Sequence, residues 1–214
     1  KIITGQSASY HILVNNTGST PLTCTTTDTN KDLSTIADNT DVVIPVGNFV
    51  WYNYTKALTQ TVTNTATANC NFATGTASDT ASATVTVIHP LVDVNKFADD
   101  TKILKGQNAS YHILVNNTGS AELTCTTTDD KTNLATAQGD DTTDVVIAAG
   151  DHVWYNYTSP LTESTTNTAT ADCTSQNDGQ ASDEDSETVT VVDAKVDVNK
   201  FADDTKILKG QNAS

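Results

Sequence analysis

Residues 102–129 read KILKGQNASYHILVNNTGSAELTCTTTD, and residues 1–28 read KIITGQSASYHILVNNTGSTPLTCTTTD; the two differ at five positions. Inside this stretch two short runs, 109–116 and 122–128, alternate apolar or β-branched side chains with polar ones. A Thr118-Gly119 turn separates them. Period-two alternation places one face on a core and the other in water, which is the pattern of half-buried strands. The repetition extends outward. DVVIPVGNFVWYNYT (41–55) returns as DVVIAAGDHVWYNYT (144–158), and NTATANC (64–70) returns as NTATADC (167–173). The string VDVNKFADDTKILKGQNAS stands unchanged at 92–110 and 196–214. Lys1, Lys102 and Lys206 therefore hold one position in three successive units.

This phase divides the 214 residues into three parts. Residues 1–91 are expected to form a repeat without its first strand, and 92–195 a full repeat. Residues 196–214 would open a third repeat or supply a strand to a neighbour. The expectation is a window cut from a longer tandem array. In the full unit, strands are expected at 92–97, 109–116, 122–128, 144–147, 152–158, 164–173 and 188–192, with turns at Lys105-Gly106, Ala149-Gly150 and Asn177-Asp178-Gly179. No stretch sustains a helical period. Seven short strands in about 100 residues point to an all-β fold of tandem Ig-like β-sandwiches in an extended array.

Acids outnumber bases 26 to 11, for a net charge of −15. Such a surface is a poor partner for a nucleic-acid backbone or an anionic membrane. No apolar run is long enough to span a bilayer. Hydrophobic residues are 36% of the chain, and threonine is abundant, as suits strands with one wet face.

The order of the motifs carries a resemblance: an alternating strand ending in lysine, then VNNTGS, LTCTTTD, a hydrophobic strand before a Gly turn, NTATA, and TVTV. It resembles the Ig-like "conserved repeat" domains of archaeal and bacterial surface proteins, the domain of unknown function eleven and its relatives. The resemblance covers the whole unit. It implies an extracellular, tandemly repeated, non-catalytic module, and no particular ligand.

Paired cysteines are not general in those domains and are read separately. Cys24 and Cys70 fall in the first unit, Cys125 and Cys173 in the second, one on each TCTTTD strand and one on each NTATA strand. The even count and repeated placement favour one disulfide per unit, against buried free thiols or a metal site. Zinc is disfavoured, because there is no CxxC pair and no His at ligand spacing to a Cys.

Strand phase also groups three further residues. Lys96 is in phase with Val92 and Val94, Asp129 with Cys125, and Asn167 with Cys173. If the cysteines pair, Lys96, Asp129 and Asn167 could converge in one interior. This is the set needed for a spontaneous Lys–Asn isopeptide bond like those of some Gram-positive pilin domains. The first unit has Asp28 and Asn64 in the matching places, and Lys200 would serve a third unit. In the competing reading Lys96 reaches water from a strand end and Asn167 bonds backbone in a turn.

Asn-x-Ser/Thr occurs at Asn15, Asn53, Asn108, Asn116, Asn156 and Asn212, all candidate N-glycosylation sites. Trp51 and Trp154 are expected to pack in the core. The alternatives are an outward Trp covered by a glycan, or an adhesive patch. Acidic clusters at Asp99 and Asp100, at Asp140, Asp141 and Asp144, and at Asp183, Glu184 and Asp185 read as loops. They make structural calcium conceivable, without EF-hand spacing. His11, His89, His112 and His152 form no metal-like cluster. No catalytic motif is present, so no enzyme and no cofactor are expected. The leading expectation is a building block of an extracellular prokaryotic filament, sheath or stalk, archaeal by resemblance, whose partner is itself. The alternative is an adhesin or carbohydrate-binding array.

Overall fold

The computed structural model describes residues 1–138, 142–201, 203, 206 and 208–212. Sixteen strands dominate the described residues, and the fold is all-β. The first eight are β1 (Ile2–Ile3), β2 (Ser7–Asn15), β3 (Leu22–Asp28), β4 (Val42–Ile44), β5 (Phe49–Ala57), β6 (Val62–Phe72), β7 (Gly75–Val85) and β8 (Val87–Ile88). They are followed by β9 (Val92–Ala98), β10 (Lys102–Leu104), β11 (Asn108–Asn117), β12 (Leu123–Asp129), β13 (Val145–Ile147), β14 (His152–Pro160), β15 (Thr165–Ser175) and β16 (Gly179–Val192).

Strands of the second unit form a five-stranded sheet, β10-β16-β15-β12-β13, and a three-stranded sheet, β14-β11-β9. One continuous core lies between them. It takes Val94, Ile113, Val115, Tyr155 and Tyr157 from one sheet, and Leu123, Cys125, Ala169, Ala171, Cys173 and Val189 from the other. The period-two pattern explains this division, since the residues alternating with these are the exposed or half-buried ones. Gly106 and Gly150 sit at φ +85° and +80°, where a side chain would be strained, and allow the tight turns into β11 and β14.

The first unit repeats this arrangement with one difference. Its larger sheet is β4-β3-β6-β7, and β1 pairs with β8 as β10 does with β16. Its smaller sheet contains only β2 and β5. Among the described residues no counterpart of β9 lies beside β2, and the core divides into two separate clusters.

Several sequence expectations need correction. The pattern puts the last strand at 188–192, but β16 starts at Gly179 and pairs with β15 along its whole length. Asp183, Glu184 and Asp185 thus lie in a strand, not in a loop. Asp140 and Asp141 lie outside the described residues. The short parallel strand β10 and a five-residue helix, α1 (Leu134–Gln138), carry too little pattern to be read. The tryptophans are not in the core: Trp51 is 46% exposed and Trp154 42%. In V-W-Y-N-Y-T the tyrosines take the inward face instead, with Tyr155 and Tyr157 buried. In 196–201 the described residues carry no strand, and Val196, Val198 and Phe201 are exposed.

Candidate functional site

Two features of the fold stand out: a buried ionic cluster in the second unit, and an open groove at the same place in the first.

The cluster is assembled from both sheets. On β9, alternation turns Val94 and Lys96 inward, and both are buried. Lys96 pairs with Ile113 of β11, and Tyr111 of β11 pairs with Tyr157 of β14. The two tyrosine rings stack at 5.2 Å, and Lys96 Nζ lies 5.0 and 5.3 Å from their centroids. From the facing sheet come Asp129, opposite Ala169, and Asn167, two residues before Ala169 on the same face. Lys96 Nζ is bonded to Asp129 Oδ2, and both side chains are fully buried. Lys96 also donates to the Tyr157 hydroxyl at 3.2 Å, and that hydroxyl donates to Asp129 Oδ2 at 2.8 Å. Asn167 Nδ2 donates to the same hydroxyl. Asp129 Oδ1 is held by the backbone N–H groups of Lys131 and Thr132 at 3.0 and 3.1 Å. Asn167 Oδ1 is buried without a hydrogen-bond partner.

The electrostatics follow from burial. Loss of water pushes the Lys96 ammonium below the usual lysine range, and Asp129 opposes this only in part. Burial, then Asp129, pushes the Tyr157 phenol up. The first unit keeps the rest of the arrangement without the lysine. There Asn64 Nδ2 donates directly to Asp28 Oδ2 at 3.0 Å and to the Tyr54 hydroxyl at 2.7 Å, and Tyr54 donates to Asp28 at 2.9 Å.

The groove is the space that β9 fills in the second unit. Ile113 and Val115 are fully buried beside β9, whereas their counterparts Ile12 and Val14 are half-buried. Ala169 and Ala171 are fully buried; Ala66 and Ala68 are not. The result is an open cleft of about 550 Å³, lined by Ile12, Val14, Ala66, Ala68, Asp79 and other residues. The acidic face of β16 shows how such a cleft holds a strand. Asp183 Oδ2 accepts the Val94 N–H at 2.8 Å, and Asp185 Oδ2 accepts the Lys96 N–H at 2.7 Å. Register places Asp79 in the first unit at the position of Asp183, and Ala81 at that of Asp185.

The cysteines form two disulfides, Cys24 with Cys70 and Cys125 with Cys173, each joining directly opposed positions of paired strands. Closing loops of 46 and 48 residues stabilises each unit by about 4 kcal/mol in the chain-entropy account.

Of the sequon asparagines, Asn116 is half-buried, while Asn15, Asn53, Asn108, Asn156 and Asn212 are exposed. Asn156 Oδ1 lies 2.6 Å from His112 Nδ1, and Asn53 Oδ1 lies 2.7 Å from His11 Nδ1. The outer face of the three-stranded sheet is aromatic. Phe97 stacks on His112 and meets Trp154 edge-on, and His152 also approaches Trp154. Asp99 bonds His112 Nε2 at 3.0 Å. Among the described residues no three His, Cys, Asp or Glu side chains are grouped as a metal site.

Sequence reasoning missed the two tyrosines of the cluster, Tyr111 and Tyr157, although strand phase already set Tyr157 on one face with Val153 and Tyr155, and Tyr111 on one face with Ile113 and Val115. It also missed Asn117 and Asn16, both fully buried. No protein family matches the chain, and no curated protein does.

Proposed function

We propose that this chain is a structural building block of an extracellular prokaryotic filament, sheath or stalk, made of tandem Ig-like β-sandwich repeats. The first repeat is completed by a VDVNKFA strand from its neighbour along the array, as the second is completed by its own β9. One observation carries this reading. The same sequence that is docked as β9 in the second unit recurs at 196–201 with Val196, Val198 and Phe201 exposed, while the first unit presents an open groove of matching lining.

In an assembly of copies of residues 1–214 the occupant of that groove would be the 196–201 segment of a second copy. Docked as β9 docks, Val198 would cover Ile12 and Val14, Asp79 would accept the Val198 N–H, and Lys200 would meet Asp28 and Asn64. Addition of a strand to an open edge gives main-chain hydrogen bonds, and the alternate side chains give specificity. Head-to-tail contacts of this kind propagate instead of closing in pairs. Two disulfides suit an oxidising compartment such as the cell surface, and the exposed sequons suit glycan decoration there.

Electron microscopy of material from the producing cells, labelled with an antibody to this repeat, tests the proposal. Label along long beaded fibres is expected. Label at isolated points on the envelope would count against a filament.

The exposed tryptophans favour a second reading, an adhesin or carbohydrate-binding array. Phe97, His112 and Trp154 form an aromatic cluster on the outer face of the sheet, against which a sugar ring could pack. Quenching of Trp fluorescence by oligosaccharides, abolished in Trp154→Ala, would move this reading to the front.

A further inference from the structure

We propose that Lys96 and Asn167 join covalently: an amide bond forms between Lys96 Nζ and Asn167 Cγ, and ammonia leaves. The two reacting groups are sealed in the second unit, with Lys96 4% and Asn167 1% exposed. Their nitrogens both lie within 3.2 Å of one atom, the Tyr157 hydroxyl oxygen. The stacked tyrosines wall off water on one side, and the disulfide between Cys125 and Cys173 fixes the facing strands. The first unit, in which Asn64 bonds Asp28 directly, shows that this asparagine reaches the carboxylate position.

The proton inventory closes without any outside reagent. The Lys96 ammonium passes one proton to Asp129 Oδ2, which it already touches. Desolvation favours this exchange, because it replaces a buried ion pair by two neutral groups. The neutral amine attacks Asn167 Cγ. Asp129 donates its proton to Asn167 Oδ1, which has no other partner to compete. One proton of the attacking amine then passes through Asp129 to Asn167 Nδ2, which departs as ammonia as the Oδ1 proton returns to Asp129 and the carbonyl re-forms. The Nζ–Cγ bond forms, the Cγ–Nδ2 bond breaks, and nothing is oxidised or reduced.

The ionic cluster also has a purely structural account, in which Lys96 stays an ammonium and simply ties two sheets together. Mass analysis separates the two. The full chain, with disulfides reduced, is digested with trypsin. An intact mass lighter by one ammonia is expected, together with loss of cleavage after Lys96 and a branched product joining 57–102 to 132–195. Asp129→Ala is expected to leave Lys96 and Asn167 unjoined while the Cys125 to Cys173 disulfide still forms. A full-mass chain cut normally after Lys96 would overturn the proposal. So would a chain lighter by one water with the branch on Asp129. The measurement on the unaltered chain decides the matter even if the variant does not fold.

Discussion

At the scale of single residues, the N-N-T-G motif has two separate jobs. Its first asparagine, Asn116, is a sequon residue, whereas the second, Asn117, is fully buried. Asn117 Nδ2 donates to the carbonyls of Ala121 and Ile147 at 2.8 and 2.9 Å, and its Oδ1 accepts the Gly119 N–H at 3.0 Å. Asn16 does the same for Thr20, Ile44 and Gly18. One side chain thus bonds three backbone groups of the turn and its neighbouring strand. Asn117→Ala is expected to cost about 3 kcal/mol, measured by chemical denaturation, whereas Asn116→Gln should change stability little. The sequence shows that this asparagine recurs, but not that it is the one turned inward. Lys96, Asp129 and Asn167 were legible from strand phase alone. The buried state of Lys96 was not, because a lysine at a strand end can equally reach water.

At the scale of elements, the strands were legible wherever one face is apolar and the other polar. β11 and β12 differ from expectation by a residue at either end. β16 was not legible, because its inward positions are Asp183, Asp185 and Glu187, which look like a solvated run. Their physical reason is the neighbouring strand: two of these carboxylates hold backbone N–H groups of β9. An acidic inward edge serves here as a clamp for one particular strand.

The linker is fixed in a similar way. Gly119 N donates to Leu91 O at 3.1 Å and Ser120 N to His89 O at 2.9 Å. A Cβ at Gly119 would stand 2.4 Å from His89 O and 2.6 Å from Leu91 N. The T-G pair is therefore a turn and also the place where the incoming chain crosses. Gly119→Val should displace the 89–91 segment and raise amide exchange across β9, read by hydrogen–deuterium exchange. Gly18→Val should leave the free chain almost unchanged, since Gly18 has only the Asn16 side chain near it.

At the scale of the whole molecule, the two units differ by one strand, and the consequences are those of losing a central part of a core. Burying a valine such as Val94 contributes roughly 2 kcal/mol, and β2, paired with β5 on one side only, presents an open edge that invites another strand. The internal repeats reveal where a VDVNKFA strand belongs beside the first unit. They do not reveal that this unit holds the rest of its fold and keeps the groove open, which depends on packing between its two sheets. If strand exchange and amide formation both operate, Lys200 of one copy would become bonded to Asn64 of the next. Chains linked this way should survive boiling in SDS and reducing agent as a ladder, and Lys200→Ala should collapse the ladder without preventing assembly.

Sedimentation velocity of the full chain over a range of concentrations tests the head-to-tail claim most directly, with a chain ending at residue 195 as its control. The account predicts a concentration-dependent series of species larger than dimers, absent from the truncated chain and suppressed by Val198→Asp. A full chain that stays monomeric throughout, or a truncated chain that assembles equally well, would contradict it.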